Sequence, residues 1–163
     1  MGVSGSGKSC VGALLAQHLG VTFIDGDDYH SPASVDKMAN GIPLNDEDRR
    51  AWLETLAKII EEYRLQGDSL VLACSALKRR YRDLLRRGDP DLAFLFLAGT
   101  RDQLRQRLAA REEHFFRGDA MLDSQLRDLE APGEGEAVTS DIDDTPDIIV
   151  KRFLMWLSER RCP

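Results

Sequence analysis

The chain has 163 residues, of which 42% are hydrophobic and 31% charged, and its formal net charge is −6. This length and composition predict a single globular domain over 1–163, and the acidic balance argues against nucleic acid or anionic membranes as partners. The three cysteines are scattered without a paired spacing, and no apolar run approaches the ~20 residues of a membrane span. We therefore expect reduced thiols and a cytoplasmic location.

The first half of the chain alternates between helical and strand-like patterns. Apolar residues recur at helical spacing over 9–19, where Gly20 ends the pattern, and a short β-rich run follows at 21–25. The polar stretch 25–44 predicts a loop with one short helix, and amphipathic spacing predicts a long helix over 46–66.

The second half continues the same alternation. The patterns predict strands at 69–74, 92–98 and 137–142, and helices at 77–87, 101–111, 119–129 and 146–160. Strands that alternate with helices imply an α/β fold with three layers, in which helices cover both faces of a central parallel sheet.

The start of the chain carries a phosphate-binding pattern, GxxxxGK[ST]. It is matched by Gly2, Val3, Ser4, Gly5, Ser6, Gly7, Lys8 and Ser9. In such a loop backbone N–H groups surround the phosphates of ATP, Lys8 reaches the β- and γ-phosphates, and the Ser9 hydroxyl binds Mg²⁺. A glycine-rich loop with a chance lysine is the alternative, and the helical pattern that starts at the correct residue disfavours it.

The segment before this loop is shorter than the pattern requires. A phosphate loop joins a strand to a helix, yet almost nothing precedes Gly2 in the sequence. We therefore expect the first strand of the sheet to be truncated.

Further blocks occur in a fixed order along nearly the whole chain. They are Phe23-Ile24-Asp25-Gly26-Asp27-Asp28-Tyr29-His30, Gly41-Ile42-Pro43-Leu44-Asn45-Asp46, Asp48-Arg49 with Trp52-Leu53, Ala73-Cys74-Ser75-Ala76-Leu77-Lys78, Arg107-Leu108 with Arg111, His114-Phe115 and Ser124-Gln125. With these blocks the chain resembles the gluconokinases, which belong to the shikimate kinase-like P-loop kinases. It departs from the family pattern at Cys10, Ser34 and Ala51. Of these three departures, the one at Ser34 affects a hydrogen bond that the family pattern would make to the substrate.

The resemblance implies an activity, its cofactors and a moving part. The activity is transfer of the γ-phosphoryl group of ATP to D-gluconate, with Mg²⁺, and the moving part is a helical lid at about 111–130. The family is often dimeric, so a homodimer is an open expectation.

Two carboxylates follow the first predicted strand, where open α/β sheets place their sites. The resemblance implies that Asp25 lies near Mg²⁺ and that Asp27 accepts the proton of the substrate hydroxyl. The alternative is a solvated turn, and Asp28 remains a competitor of Asp27 for the hydroxyl. His30 is expected either to bind substrate or to make a structural hydrogen bond.

Three arginines and a lysine complete the expected site. The resemblance implies that Arg49 binds the carboxylate of the sugar acid, with a salt bridge to Asp46 or Asp48 as the alternative. Lys78 is expected near substrate on a basic helix, with Arg79 and Arg80 in solvent; a fully solvated basic face is the alternative.

By resemblance, Arg107 packs on adenine and Arg111 belongs to the lid, where it neutralises charge on the transferred group. Pairing with Glu112 or Glu113 on a charged face is the alternative for both arginines. His114 and Gln125 are assigned to the lid and substrate side.

The functional prediction is an ATP-dependent gluconokinase. A P-loop kinase for another small hydroxy acid, such as shikimate, and a non-catalytic nucleotide-binding protein are the alternatives. A guanine-reading Asn-Lys-x-Asp stretch is absent from the sequence, which argues against a GTP switch.

Overall fold

The computed structural model describes residues 1–110 and 119–160. Its helices are α1 (Lys8–Leu19), α2 (Pro32–Ala39), α3 (Asp46–Gln66), α4 (Arg79–Leu85), α5 (Arg101–Ala109), α6 (Asp119–Asp128) and α7 (Pro146–Arg160). Its strands are β1 (Thr22–Asp25), β2 (Leu70–Ala73), β3 (Leu95–Ala98) and β4 (Val138–Asp141), and a 3₁₀ turn covers Gly26–Tyr29.

Helix α3 has the bounds that the sequence predicts because both of its ends are capped. The Asn45 side chain accepts a hydrogen bond from the backbone N–H of Asp48, and the Asp48 side chain accepts one from the backbone N–H of Asn45. At the other end Gly67 adopts φ 74°, the left-handed conformation that ends many helices.

Helix α4 is shorter than predicted and begins after Lys78 rather than before it. Ala76 has φ 44°, and Lys78 is extended at φ −94° and ψ 149°. The carbonyl groups of Ala76 and Leu77 accept hydrogen bonds from Nη1 of Arg82, at 3.2 and 3.1 Å, which holds this segment outside the helix. The prediction that placed Lys78 on the helix is therefore wrong: it is the residue before α4.

The strands form two parallel pairs. β1 pairs with β2, with Asp25 opposite Ala73, and β3 pairs with β4. Met1 and Gly2 lie between the pairs: the Met1 carbonyl accepts from Leu97 N at 3.0 Å, and Gly2 N donates to the Ser75 carbonyl at 3.2 Å. The predicted parallel arrangement is confirmed, and the two residues occupy the position that the pattern assigns to the strand entering the loop.

Two clusters of buried side chains lie on opposite sides of the strands. One joins α1, α5 and α7 through residues such as Val11, Leu104 and Phe153, and the other joins α3 and α4 through Trp52, Leu56 and Leu85. This is the predicted three-layer arrangement. In the described ranges, no helix is both long and apolar enough to span a membrane.

Candidate active site

The phosphate loop has a backbone that side chains would obstruct. Gly2, Gly5 and Gly7 have φ values of 144°, 83° and 93°. A Cβ on Gly2 would lie 2.9 Å from the Leu97 carbonyl oxygen, and one on Gly5 would lie 2.9 Å from Cγ of Leu108.

The loop also contains a polar atom that suits an oxyanion ligand. The Ser6 side chain is buried at 2% exposure, and its Oγ has no hydrogen-bond partner among the described residues. Buried polar atoms normally have partners, and a hydroxyl can donate to a phosphate oxygen. Gly7 precedes α1, whose N-terminus adds a favourable dipole. The loop therefore fits a nucleotide phosphate.

Ser9 and Asp25 meet at the carboxyl end of β1. The Ser9 hydroxyl donates to Oδ2 of Asp25 at 2.6 Å, and Oδ1 of Asp25 accepts the backbone N–H of Asp27 at 3.1 Å. Nζ of Lys8 donates to the Val3 carbonyl at 3.1 Å, within the loop. No group of three or more His, Cys, Asp or Glu residues in the described ranges could hold a metal. Mg²⁺ at Ser9 and Asp25 would therefore depend on phosphate oxygens for further ligands.

Asp27 lies on the 3₁₀ turn, and its side chain is 70% exposed. Oδ1 of Asp27 is 3.8 Å from Nε2 of His30, whose side chain is only 5% exposed. The His30 ring stacks on Trp52, with the ring centroids 4.2 Å apart, and Trp52 Nε1 donates to the Gly26 carbonyl at 2.7 Å. Trp52 therefore supports the turn that presents Asp27.

The buried position of His30 changes its chemistry. Burial lowers the pKa of His30 below its ordinary value, and the nearby Asp27 carboxylate offsets this only in part. Its Nδ1 is buried and has no partner among the residues that the structure describes. His30 therefore makes no structural hydrogen bond to a described residue through Nδ1, which was the alternative role. The binding of substrate by His30 stays a prediction.

The cationic part of the site is formed by Arg49 and Lys78. Arg49 is 5% exposed, and its Nη1 lies 3.0 Å from Oδ2 of Asp128. Nζ of Lys78 lies 3.1 Å from Oδ1 of Asp128 and 3.0 Å from Oδ1 of Asp46. The alternative that paired Arg49 with Asp46 or Asp48 is wrong, because Arg49 pairs with Asp128. Asp46 pairs with Lys78 and Arg80, and Asp48 binds Lys37 and caps α3.

The basic residues that follow Lys78 differ in burial: two of the arginines are exposed and one is buried. Arg79 and Arg80 are exposed as predicted, although Arg80 forms an ion pair with Asp46. Arg82 is 1% exposed and is bound by Glu136 at 2.5 Å. The alternative of a fully solvated basic face is therefore wrong.

Helices α5 and α6 both contact the phosphate loop. Arg107 donates to the Ile142 carbonyl, and its Nη1 would lie 3.7 Å from a Cβ on Gly7. Oε1 of Gln125 accepts the backbone N–H of Ser4 at 2.7 Å, so this residue lies at the phosphate loop. Arg111 and His114 lie outside the described residues.

Comparison with known proteins decides the family. The shikimate kinase family model matches residues 4–157. The thermoresistant gluconokinase of Escherichia coli (strain K12) is 45% identical over 145 residues, which cover 88% of this chain and 82% of the relative. The chain belongs to the gluconokinase family. The gluconokinase of Arabidopsis thaliana is 38% identical over 176 residues, covering 100% of this chain and 93% of that relative.

Solved structures agree with membership of the gluconokinase family. An unliganded sugar kinase from Janibacter sp. HTCC2649 superimposes with a TM-score of 0.91 at 42% identity, covering 97% of this chain and 91% of that one. A gluconokinase from Sinorhizobium meliloti 1021 has a TM-score of 0.88 at 42% identity, covering 98% and 89%. The resemblance found in the sequence, and the P-loop kinase fold that it implies, are confirmed.

Ion pairs of two carboxylates near the candidate site of this gluconokinase-family chain were not predicted. Asp128 binds both Arg49 and Lys78, but on its helix it is one acidic residue among several, and no local pattern singles it out. Arg82 lies within the basic helix predicted at 77–87, but its burial could not be predicted because it depends on distant residues that include Glu136. The exposed face of a helix and a buried ion pair cannot be distinguished from a run of charges alone.

Proposed function

We propose that this chain is an ATP-dependent gluconokinase, which converts D-gluconate and ATP into 6-phospho-D-gluconate and ADP. The observation that carries the proposal is a phosphate loop together with a cation pair of buried Arg49 and partly buried Lys78, in a chain 45% identical to a gluconokinase. The loop suits a nucleotide, and Arg49 with Lys78 suits the carboxylate of a sugar acid.

The nucleotide side of the site consists of the loop and its neighbours. The backbone N–H groups of Gly2 to Ser9 surround the phosphates, and Lys8 contacts the β- and γ-phosphates. Ser9 and Asp25 hold Mg²⁺, which neutralises charge on the phosphates when it is bound. Arg107 packs on adenine, which its position beside Gly7 supports.

Asp27 and the cation pair position the acceptor. Arg49 and Lys78 bind the carboxylate of gluconate, and His30 donates or accepts a hydrogen bond at a hydroxyl. Gln125 and His114 contribute from the lid side, and the lid covers about 111–130. Closing this lid excludes water, which would otherwise compete with gluconate for the phosphoryl group.

Phosphoryl transfer then needs little covalent help from the protein. A gluconate hydroxyl oxygen forms a bond to the γ-phosphorus while the bond from that phosphorus to the bridging oxygen breaks. Asp27 accepts the proton of the hydroxyl, and the leaving electrons stay on ADP. Lys8 and Arg111 of the lid stabilise the charge that spreads over the transferred group.

The setting of the reaction follows from its substrates. We propose a cytoplasmic enzyme, since ATP and a small sugar acid are its substrates, and nucleic acid and membrane have no role in the reaction. A homodimer is proposed only by family resemblance, and light scattering coupled to size-exclusion chromatography measures it directly.

A coupled ADP-release assay tests the proposed function. ADP should form with ATP, Mg²⁺ and gluconate together, and should be near background when gluconate is omitted. Shikimate in place of gluconate tests the other acceptor class and should give no stimulation. Turnover that is independent of gluconate, or no turnover with it, contradicts the proposal.

A pair of lysine variants makes the assay specific to the loop. Lys8→Met should lower kcat by at least about 100-fold, because it removes charge stabilisation at the transferred phosphoryl group. Lys58→Met changes an exposed lysine on α3 in the same way and should keep wild-type turnover. Equal losses in both variants would exclude a specific role for Lys8.

A further inference from the structure

The cation pair assigned to the acceptor already has a carboxylate bound to it. The two oxygens of Asp128 divide between the two cations: Oδ2 lies 3.0 Å from Nη1 of Arg49, and Oδ1 lies 3.1 Å from Nζ of Lys78. One carboxylate that bridges two cations is also the arrangement in which a sugar acid would bind there.

Arg49 and Lys78 offer little surface to any partner other than the carboxylates that they already bind. The side chain of Arg49 is 6% exposed and that of Lys78 is 17% exposed, so neither cation has much free surface. The ring of Tyr81 covers both, with its centroid 5.8 Å from each charged group. A substrate carboxylate that bridges Arg49 and Lys78 would therefore take the place of the Asp128 oxygens.

Asp128 is easier to displace than Asp46, the other carboxylate at Lys78. Asp46 is bound by Lys78, Arg80 and the hydroxyl of Tyr81, which hold its pKa well below the usual range. It also lies in the first turn of α3, where the helix dipole favours a negative charge.

Asp128 lies at the opposite end of its helix from Asp46. It is the last residue of α6, where the helix dipole disfavours a negative charge, and its side chain is 26% exposed. Two cations hold it, whereas three donors hold Asp46. It is thus the more weakly held carboxylate, although the Asp46 side chain is the more exposed of the two, at 45%.

We propose that Asp128 is a specificity-determining residue that occupies the place of the acceptor's carboxylate on Arg49 and Lys78. Binding of the acceptor exchanges one carboxylate for another, so that the buried Arg49 is never without an anionic partner. A neutral polyol cannot make this exchange and leaves Asp128 in place. The inference rests on the proposed function, because it requires an anionic acceptor at this cation pair.

The exchange also involves the phosphate loop. Gln125 lies three residues before Asp128 on α6 and accepts the backbone N–H of Ser4 at 2.7 Å. Helix α6 is therefore attached to the nucleotide side through Gln125 and to the acceptor side through Asp128. Displacing Asp128 releases the second attachment while the first remains.

The test is the KM for gluconate in the Asp128→Asn variant. The amide keeps the shape of the side chain but removes the competing charge, so this KM should fall by about fivefold to tenfold, with no matching fall in the KM for ATP. An unchanged or raised KM overturns the inference, because a carboxylate that orients Arg49 or binds substrate hydroxyls has that effect.

Asp123→Asn is the matched control on the same helix. Asp123 forms an ion pair with Arg101 at 2.7 Å, and both side chains are well exposed, so this variant makes the same change of charge away from the cation pair. The KM for gluconate should not change in it. An equal fall in both variants would reveal an effect of overall charge and would overturn the inference.

Binding measured by calorimetry supplies a second test. Asp128→Asn should strengthen the binding of gluconate but not the binding of D-glucitol, which lacks the carboxylate. Equal strengthening of both ligands overturns the inference. If Asp128→Asn does not fold, Asp128→Ser also removes the charge and must give the same fall in KM.

The proposed function and the inference fail in different ways. Wild-type protein without gluconate-dependent turnover contradicts the proposed function and this inference together. Normal wild-type turnover, with an unchanged or raised KM in the Asp128 variants, contradicts the inference alone.

Discussion

At the residue scale, Asp27 has an exposed side chain on a turn whose backbone is held in place by Trp52. Its side chain is 70% exposed, while Trp52 holds the turn beneath it through the Gly26 carbonyl. Asp28 is exposed beside it and is the other candidate that the sequence offers for the substrate hydroxyl. A carboxylate in this position can accept a proton without reorganising the surrounding structure.

We expect Asp27→Asn to lower kcat by about 100-fold or more, because the amide cannot accept the proton of the hydroxyl. The melting temperature should stay close to that of the wild type, since the side chain is mostly in solvent. Steady-state kinetics with gluconate measure the effect, and Asp28→Asn is the control. A larger loss in the Asp28 variant would transfer the role to Asp28.

His30 should make the stability of the protein depend on pH. Burial lowers its pKa in the folded state, so below the ordinary value of 6.5 the unfolded chain binds a proton that the folded chain does not. The free energy of unfolding should therefore decrease as pH falls below that value and should be fully regained above it.

Urea denaturation between about pH 5 and pH 8 measures this effect. His30→Gln should remove part of the decrease at low pH. His18→Gln changes an exposed histidine on α1, and this variant should show the same decrease in stability at low pH as the wild type. The same pH dependence in wild type and His30→Gln would contradict a buried, neutral His30.

At the scale of elements, Arg82 connects α4 to two distant segments. Its Nη1 donates to the carbonyls of Ala76, Leu77 and Glu130, and its Nε binds Glu136. The segment before α4 carries Lys78, and Glu130 lies just beyond Leu129, the residue that follows α6. One buried guanidinium therefore fixes the positions of both parts of the proposed acceptor site.

Arg82→Met should lower the free energy of unfolding by about 3 kcal/mol, because it removes a donor of several buried carbonyls and the nearer of the two cations at Glu136. Arg79→Met, at an exposed position of the same helix, should change it by less than about 0.5 kcal/mol. Equilibrium urea denaturation compares the two variants. A small change at Arg82 would mean that the buried ion pair can be replaced by apolar packing.

At the scale of the whole molecule, the phosphate loop lies where several elements meet. Lys8 begins α1, Gln125 of α6 binds Ser4, and Arg107 of α5 lies beside Gly7. A ligand in the loop should therefore stabilise the fold as a whole rather than one segment of it. Binding to the folded state alone raises the free energy of unfolding by mass action.

A non-hydrolysable ATP analogue with Mg²⁺ should raise the melting temperature. At about 100 times its Kd the stabilisation is about 2.7 kcal/mol, which corresponds to roughly 5–10 °C for a domain of this size. Differential scanning fluorimetry measures the shift, and Lys8→Met should reduce it at the same concentration. An equal shift in that variant would contradict phosphate binding by Lys8.

Much of the nucleotide side was predictable because its rules are local. The glycine spacing, the lysine and the start of α1 lie within a few residues of each other, and steric limits on φ restrict which residues can form such a loop. The capped ends of α3 are predictable for the same reason. Gly26 is different: its need for glycine comes from the Ala73 carbonyl, 2.7 Å from where a Cβ would lie.

The sequence by itself determined the phosphate loop, the alternation of strands and helices, and the candidates for the acceptor side, including Arg49 and Lys78. Only the tertiary structure decided what these cations bind. Asp128 is 79 residues from Arg49, and the chain contains 28 acidic residues that could have paired with it. Local steric limits and local hydrogen bonds depend on residues that are close together in the sequence. Which distant acidic residue pairs with a given cation depends instead on which side chains the packed helices bring together.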